Sequence, residues 1–496
     1  MGIASGWINP KRPLSPSNSW ALGTTKFHLL DEQVILAIVG RLGPSDRLAW
    51  CLMDRRLRDL VRSSFDTAAV VLRTPRQGSK GFIYHMERLS VVTAAFPFLT
   101  ELDFAGVHIG DDGAVALAAG IACRGRLAYL DLDGHEISDV GARALARALA
   151  QNVGLSDVDL SNNYIEAAGV DMGEMLADNA SIHTLDLHGN QLGDASAQKI
   201  GHGLTSNTTL TTLDLSRNHL GRRSSLALAD GLLANGTLRH LSLADNHLGD
   251  AGKIIGAIGL SPSLHVLCLD RTAIGRRGGK QLGEMLERNG TLRVLHLSAC
   301  EIGPPGATAI GLSLFRNTSL TELVMRDNEI GNAGMRPLLD ALSMNSTLQH
   351  MDLAGNDATP ACVDLMRDVL RRNTGLHFFS VADNLLGTGS APRLASIFAF
   401  NRTLRTLDLS GSSIDFRGLH IILEGLRANR RLTRLHMADC DIPYADTLSS
   451  NDPRVVYTRP VDADPLGRRR KPEWPPRACA HRSLEEALEA ASLARK

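Results

Sequence analysis

From Leu99 to Ile442 the apolar residues recur in one arrangement: a leucine or isoleucine, a second three residues on, and a third two residues later. The clearest unit reads Leu210-Thr-Thr-Leu213-Asp-Leu215-Ser-Arg-Asn218-His-Leu220. Side chains two residues apart share one face of a strand, so Leu213 and Leu215 predict a short strand with the intervening residue on the opposite face. Thirteen such units begin at Leu99, Leu127, Leu155, Ile182, Leu210, Leu238, Leu264, Leu292, Leu320, Leu348, Leu376, Leu404 and Leu432. The step is 28 residues except for 27 before Ile182 and 26 before Leu264. Each strand is followed by small and apolar residues, as in Gly113-Ala-Val-Ala-Leu117 and Gly141-Ala-Arg-Ala-Leu145, whose three- and four-residue spacing predicts a helix. Asn163, Asn190, Asn218, Asn246, Asn328, Asn356 and Asn384 stand three residues after the third leucine. A buried amide at that point is expected to satisfy backbone groups where the chain leaves the strand, with Thr272, Cys300, Ser412 and Cys440 as small substitutes. A second asparagine, such as Asn152, Asn179 or Asn207, marks each helix end, where the left-handed conformation is expected.

This periodic strand–helix unit resembles the leucine-rich repeat, and its long period with a full helix resembles the ribonuclease-inhibitor class. The resemblance covers Leu99 to Ile442. It implies an α/β fold: a leucine-rich-repeat horseshoe solenoid with a parallel sheet on the concave side and helices on the convex side. A non-enzymatic scaffold that holds another protein is the expected function class, although the fold alone does not name a function.

Residues 27–65 break the repeat and are expected to form a small all-α N-terminal module. Val34, Ile35, Ile38 and Leu42 fall on one helical face, and Gly43-Pro44 interrupts the helix. Leu29 and Glu32, then Leu42-Gly-Pro44-Ser-Asp46, then Met53-Asp-Arg55-Arg56-Leu57 resemble an F-box, the helical module that recruits its protein to a cullin-type ubiquitin ligase through an adaptor subunit. The resemblance implies adaptor contacts at Leu29, Glu32, Ile35, Ile38, Leu42, Pro44 and Leu48. Leu30 stands where the family favours proline, one extra residue separates Glu32 from Leu42, and Leu57 replaces a characteristic tryptophan. The alternative reading of the same residues is an amphipathic cap over the open end of the solenoid. An F-box ahead of leucine-rich repeats resembles ubiquitin-ligase substrate receptors. The Gly-Ala-x-x-Leu-Ala runs also resemble GALA-type effectors of plant pathogens, although those use a shorter repeat. Horseshoes of this class further resemble activators of the GTPase Ran, with no segment here that marks that activity.

Residues 1–26 hold no Asp or Glu and read as a disordered arm, and 66–98 as an irregular first half-repeat with a short strand near 68–72. Residues 443–496 read as a C-terminal cap, with Val455-Val-Tyr457 as a last strand, then a basic, proline-rich linker and a short helix capped by Ser483-Leu-Glu-Glu486. Arg468-Arg-Arg-Lys471 would allow nuclear entry.

Strand alternation also names the concave residues. The position between the last two leucines holds Asp103, Asp131, Asp159, Asp186 and Asp214 in the first five repeats. With Glu101, Asp133 and Asp157 these make eight carboxylates, expected to form an acidic docking stripe for a basic partner segment. Farther along, His240, Arg293 and His296 mix basic and neutral groups, and Tyr129 and Phe378 are the aromatics of this face.

Composition then narrows the classes. Aromatics make up only 4% of the 496 residues, so the interior must be aliphatic. Lys+Arg and Asp+Glu balance at 53 each, which gives no overall field toward nucleic acid or membrane. Seven cysteines, at 51, 123, 268, 300, 362, 440 and 479, form no CxxC pair and read as reduced thiols of a cytoplasmic protein, in a host cytoplasm if it is a secreted effector. Gly6 stands where a myristoylation signal needs Ser or Thr. No catalytic constellation, cofactor loop or metal-ligand spacing stands out, and the chain is expected to be a monomer in isolation.

Overall fold

A computed structural model describes residues 69–71, 101–103, 108–122, 127–249, 251–442 and 452–457, with the backbone alone for the first two segments. The arm at 1–26, the F-box-like segment, the basic linker and the C-terminal helix therefore lie outside the described residues.

Each repeat supplies one three-residue strand that begins two residues after the repeat's first leucine. The strands are β1 (Ala69–Val71), β2 (Glu101–Asp103), β3 (Tyr129–Asp131), β4 (Asp157–Asp159), β5 (Thr184–Asp186), β6 (Thr212–Asp214), β7 (His240–Ser242) and β8 (Val266–Cys268). They continue as β9 (Val294–His296), β10 (Glu322–Val324), β11 (His350–Asp352), β12 (Phe378–Ser380), β13 (Thr406–Asp408), β14 (Arg434–His436) and the two-residue β15 (Val455–Val456). All fifteen form one sheet in chain order. The pairs are parallel, and equivalent residues meet, as in Asp131↔Asp159, Asp159↔Asp186 and Asp186↔Asp214. A parallel pair needs a crossover, and a helix lies in every crossover from Gly110–Ile121 to Phe416–Arg427.

The interior is a stack of like side chains. Leu210, Leu213 and Leu215 are fully buried, as are Leu292, Leu295 and Leu297 three repeats along. Phe379 and Phe398 are the largest of the fully buried side chains, in an interior otherwise built mainly of Leu, Ile, Met, Val and Ala. Small residues let successive helices approach closely. A Cβ at Gly231 would sit 2.4 Å from the Gly201 carbonyl oxygen, and one at Gly173 would meet the backbone of Lys199 at 2.3 Å. Either substitution would force the helices apart, because no side chain is there to yield.

Two asparagine ladders satisfy the backbone between coils. At the strand exit, Asn328 donates to the Leu297 carbonyl of the previous repeat (2.7 Å) and accepts from the Cys300 and Ile302 amides (3.0 and 3.2 Å). Thr272 and Cys300 take over where asparagine is missing, both donating to the Leu269 carbonyl. At the helix ends the expectation of a left-handed residue is corrected. Asn152, Asn179 and Asn207 are extended, with φ near −75° and ψ near 134° (−76/137, −78/134 and −70/130). Their amides instead bridge repeats, as when Asn179 donates to the Leu149 carbonyl (2.7 Å) and accepts from the Ser181 and Ile182 amides (2.9 and 2.8 Å). The left-handed residues lie in the turns after the strands, at Arg217, Asp245 and Asp327 among others.

Candidate partner-binding surface

The strand residues that alternate with the buried leucines face outward in three rows running across the sheet. The middle row is the one between the two leucines: Asp131, Asp159, Asp186, Asp214, Ser242, Cys268, His296, Val324, Asp352, Ser380, Asp408 and His436. The row before it runs Tyr129, Asp157, Thr184, Thr212, His240, Val266, Val294, Glu322, His350, Phe378, Thr406 and Arg434. The row after it includes Asp133, Ser161, His188, Ser216, Asp270, Ser298 and Arg326.

At the N-terminal end the structure brings the expected carboxylates together. Asp131, Asp133, Asp157, Asp159 and Asp186 are half-buried on three adjacent strands. No Lys or Arg occupies an outward strand position of β3 to β6. Strands lie about 4.8 Å apart, so these charges add to one field. Glu101 and Asp103 lie on β2 in the same rows, and their side chains are outside the described residues. Asp214 departs from the expectation. It is only 5% exposed, and burial raises its pKa against the pull of the Ser216 hydroxyl and amide. It is therefore a poor member of an exposed stripe.

These aspartates also have a structural duty that the sequence alone did not reveal. Each accepts the amide two residues ahead, which has left the strand ladder: Asp133 to Asp131 (3.0 Å), Ser161 to Asp159 (2.9 Å), His188 to Asp186 (2.9 Å) and Ser216 to Asp214 (2.8 Å). Asp352 and Asp408 do the same for the Ala354 and Ser410 amides, each at 3.0 Å. The charge of the stripe is thus a by-product of a turn motif that also rigidifies it.

From β7 to β10 the middle row abandons aspartate for Ser242, Cys268, His296 and Val324. The Ser298 amide is taken instead from the neighbouring strand, by Asp270 Oδ1 at 2.6 Å. His296 Nε2 meets Glu322 Oε1 at 2.9 Å, and Arg326 Nε donates to Asp352 Oδ2 at 2.6 Å. Burial works to raise the Glu322 pKa, but the His296 contact and the nearby His350 and His296 rings bring it below the usual carboxylate value. Burial holds His350 below the ordinary imidazole value even with Glu322 and Asp352 beside it. Burial also lowers His240, helped by His265 and Arg239. Phe378 stacks on His350 with ring centroids 4.0 Å apart, and Tyr129 donates to Asp131 Oδ2 at 3.1 Å, so both expected aromatics sit on this face. Arg293 is exposed and donates to the Ser319 carbonyl at 2.9 Å.

Glu322, Arg326 and His350 were not singled out from the sequence. Their signal was the same alternation that named the middle row, extended two residues to either side and read across strands. The structure also places Cys268, Asp270 and His296 so that one ligand atom from each lies within 4.8 Å of the others. The described cysteines Cys268, Cys300, Cys362 and Cys440 form no disulfide. Cys300 is held inert, its thiol pushed up to about 12 by burial.

Eight segments of the chain match the leucine-rich-repeat family profile: 97–118, 127–146, 178–201, 206–228, 234–252, 288–311, 316–339 and 400–419. The chain carries leucine-rich repeats. Two solved structures are similar to parts of it. Leiomodin-1 actin-binding site 2 is 22% identical over 30% of this chain and 86% of its own, with a TM-score of 0.27. The internalin InlF from Listeria monocytogenes str. 4b F2365 is 16% identical over 67% of this chain and 87% of its own, with a TM-score of 0.38. No curated protein matches the chain. The leucine-rich repeats build a parallel-sheet horseshoe, which marks the chain as a protein-binding scaffold. Among the described residues no helix is long and apolar enough to cross a membrane.

Proposed function

We propose that the concave sheet holds a protein partner through a basic segment seated on its N-terminal strands. The observation that supports this is the set of half-buried carboxylates at Asp131, Asp133, Asp157, Asp159 and Asp186, with no Lys or Arg among the outward strand positions of β3 to β6. Beyond them the face is mixed, with exposed Arg239, Arg293, Arg405 and Arg434 on repeats that also carry Asp270, Glu322, Asp352 and Asp408. A basic segment would be drawn to the N-terminal strands in preference to this mixed face, where like charges placed opposite would repel. Tyr129 and Phe378, one in each part of this face, provide apolar anchors of the kind that carry much binding energy.

A finer reading rests on the N-terminal residues Leu29, Glu32, Ile35, Ile38, Leu42, Pro44 and Leu48, which resemble the adaptor-binding face of an F-box. In that reading the horseshoe presents its guest to a cullin-type ubiquitin ligase, as a substrate receptor or a pathogen effector. The alternative is a scaffold, inhibitor or sensor with no ligase link. Pull-down of the adaptor subunit by the full chain, compared with a chain lacking 1–65, separates them. Retention lost with the deletion supports the receptor; no retention by the full chain overturns it and leaves the scaffold.

A further inference from the structure

We infer that Cys268, Asp270 and His296 form a site for a zinc-type divalent cation on the concave face, at the point where the repeat gives up its aspartate. The three residues offer a sulfur, an oxygen and a nitrogen whose ligand atoms lie within 4.8 Å of one another. Tetrahedral zinc with bonds of about 2.0–2.3 Å needs ligand atoms roughly 3.3–3.8 Å apart, so a closure of about 1 Å by side-chain rotation completes the geometry. A mixed thiolate, imidazole and carboxylate set selects zinc or cobalt over magnesium or calcium, which require oxygen ligands.

The surroundings match those of a metal site rather than a chance meeting. Cys268 and His296 are direct partners in the sheet register, so two adjacent strands hold them, and Asp270 lies in the turn directly after Cys268's strand, its carboxylate tied to the Ser298 amide. His296 Nε2 faces Glu322 Oε1 at 2.9 Å, the carboxylate–imidazole arrangement that fixes the tautomer of a ligating histidine and leaves Nδ1 with the lone pair. Asp270 Oδ1 is fixed by the Ser298 amide at 2.6 Å, as ligating carboxylates usually are. Cys268 and Asp270 are 6% and 3% exposed while His296 is half-buried, so three ligands come from the wall and the fourth position opens toward the concave face. Three protein ligands and one open position are the pattern of zinc sites that bind a further group. Arg271 interacts with both Asp270 and Cys268, but its guanidinium is committed to Asp245. This site stands independently of the proposed basic partner, because it concerns different strands and a different ligand.

Co²⁺ is titrated into the chelator-stripped full chain, and the spectrum is followed for a thiolate-to-cobalt charge-transfer band; competition with Zn²⁺ then gives the affinity. One equivalent per chain with that band is expected. Cys268→Ser is expected to abolish the band and weaken binding roughly 100-fold or more, and Glu322→Gln to weaken it about 10–100-fold with the band kept. Serine occupies the same register position at Ser242 in the neighbouring strand, so Cys268→Ser fits the sheet. Zn²⁺ is also expected to raise the melting temperature of the unsubstituted chain where Mg²⁺ does not, a readout that needs no variant. Absence of the thiolate band, or binding of equal stoichiometry and affinity in Cys268→Ser, would overturn the site.

Discussion

Strands β3 to β6 and strands β7 to β11 share one interior and differ on the face they present. Behind both, the same leucines stack: Leu213 and Leu215 in one region and Leu295 and Leu297 in the other are all fully buried. In front, the first region repeats aspartate with a turn-holding duty, while the second replaces it with Ser242, Cys268, His296 and Val324 before aspartate returns at Asp352. The interior is constrained by stacking, since each side chain must match the coil above and below. The outward rows are constrained only where a backbone amide must be satisfied. When Asp270 satisfies the Ser298 amide from the next strand, the middle row is released for other chemistry.

The sharpest test of the shared interior is the pair Leu213→Ala and Leu295→Ala. Each should cost about 2–5 kcal/mol in urea unfolding, because a stacked coil collapses poorly around a void. Costs that differ by far more than their spread would show that the two regions do not share one kind of core. Next in size is Asn328→Ala, which strips partners from the buried Leu297 carbonyl and the Cys300 and Ile302 amides. A loss of about 2–4 kcal/mol is expected from unsatisfied backbone groups, read by the same unfolding curves.

How far the sequence reveals this molecule follows from which constraints are local. The strand residues of each repeat, such as Leu213 and Leu215, announce themselves through a spacing of two within one chain segment. The outward identity of Asp131, His296 and Phe378 follows from the same alternation. The duty of Asp131 toward the Asp133 amide was hidden, because carboxylate-to-amide bonding depends on where the ladder stops. Contacts such as His296 with Glu322 and Arg326 with Asp352 cross repeats 26 residues apart, so they appear only once the strands are in register. Asn179 does close its helix, but in the extended conformation, because left-handed tolerance is a local property whereas its bridge to the Leu149 carbonyl belongs to the stack.

A smaller effect distinguishes the two regions by pH. His240 and His350 both lie in the second region, and burial lowers both below the ordinary value of 6.5. A histidine that resists protonation when folded binds more protons when unfolded, so its contribution is intact above pH 6.5 and is lost as pH falls through the lowered folded value. The urea midpoint should therefore drop between pH 7.5 and pH 5.5, and His350→Asn should reduce the drop. An equal drop in that variant would remove His350 as the cause.

In the proposed function, the carboxylates of β3 to β5 draw a basic partner to the concave face. Asp131, Asp159 and Asp186 are best replaced together by asparagine, which keeps an oxygen for the amides of Asp133, Ser161 and His188 while removing the charge. The measurement is the affinity of an oligolysine peptide for the full chain and for this triple variant across a salt series. The claim predicts binding about tenfold weaker in the variant at low salt, at roughly 0.2–1 kcal/mol per exposed charge, with a flatter salt dependence. Equal affinity and equal salt dependence in the two proteins would contradict it.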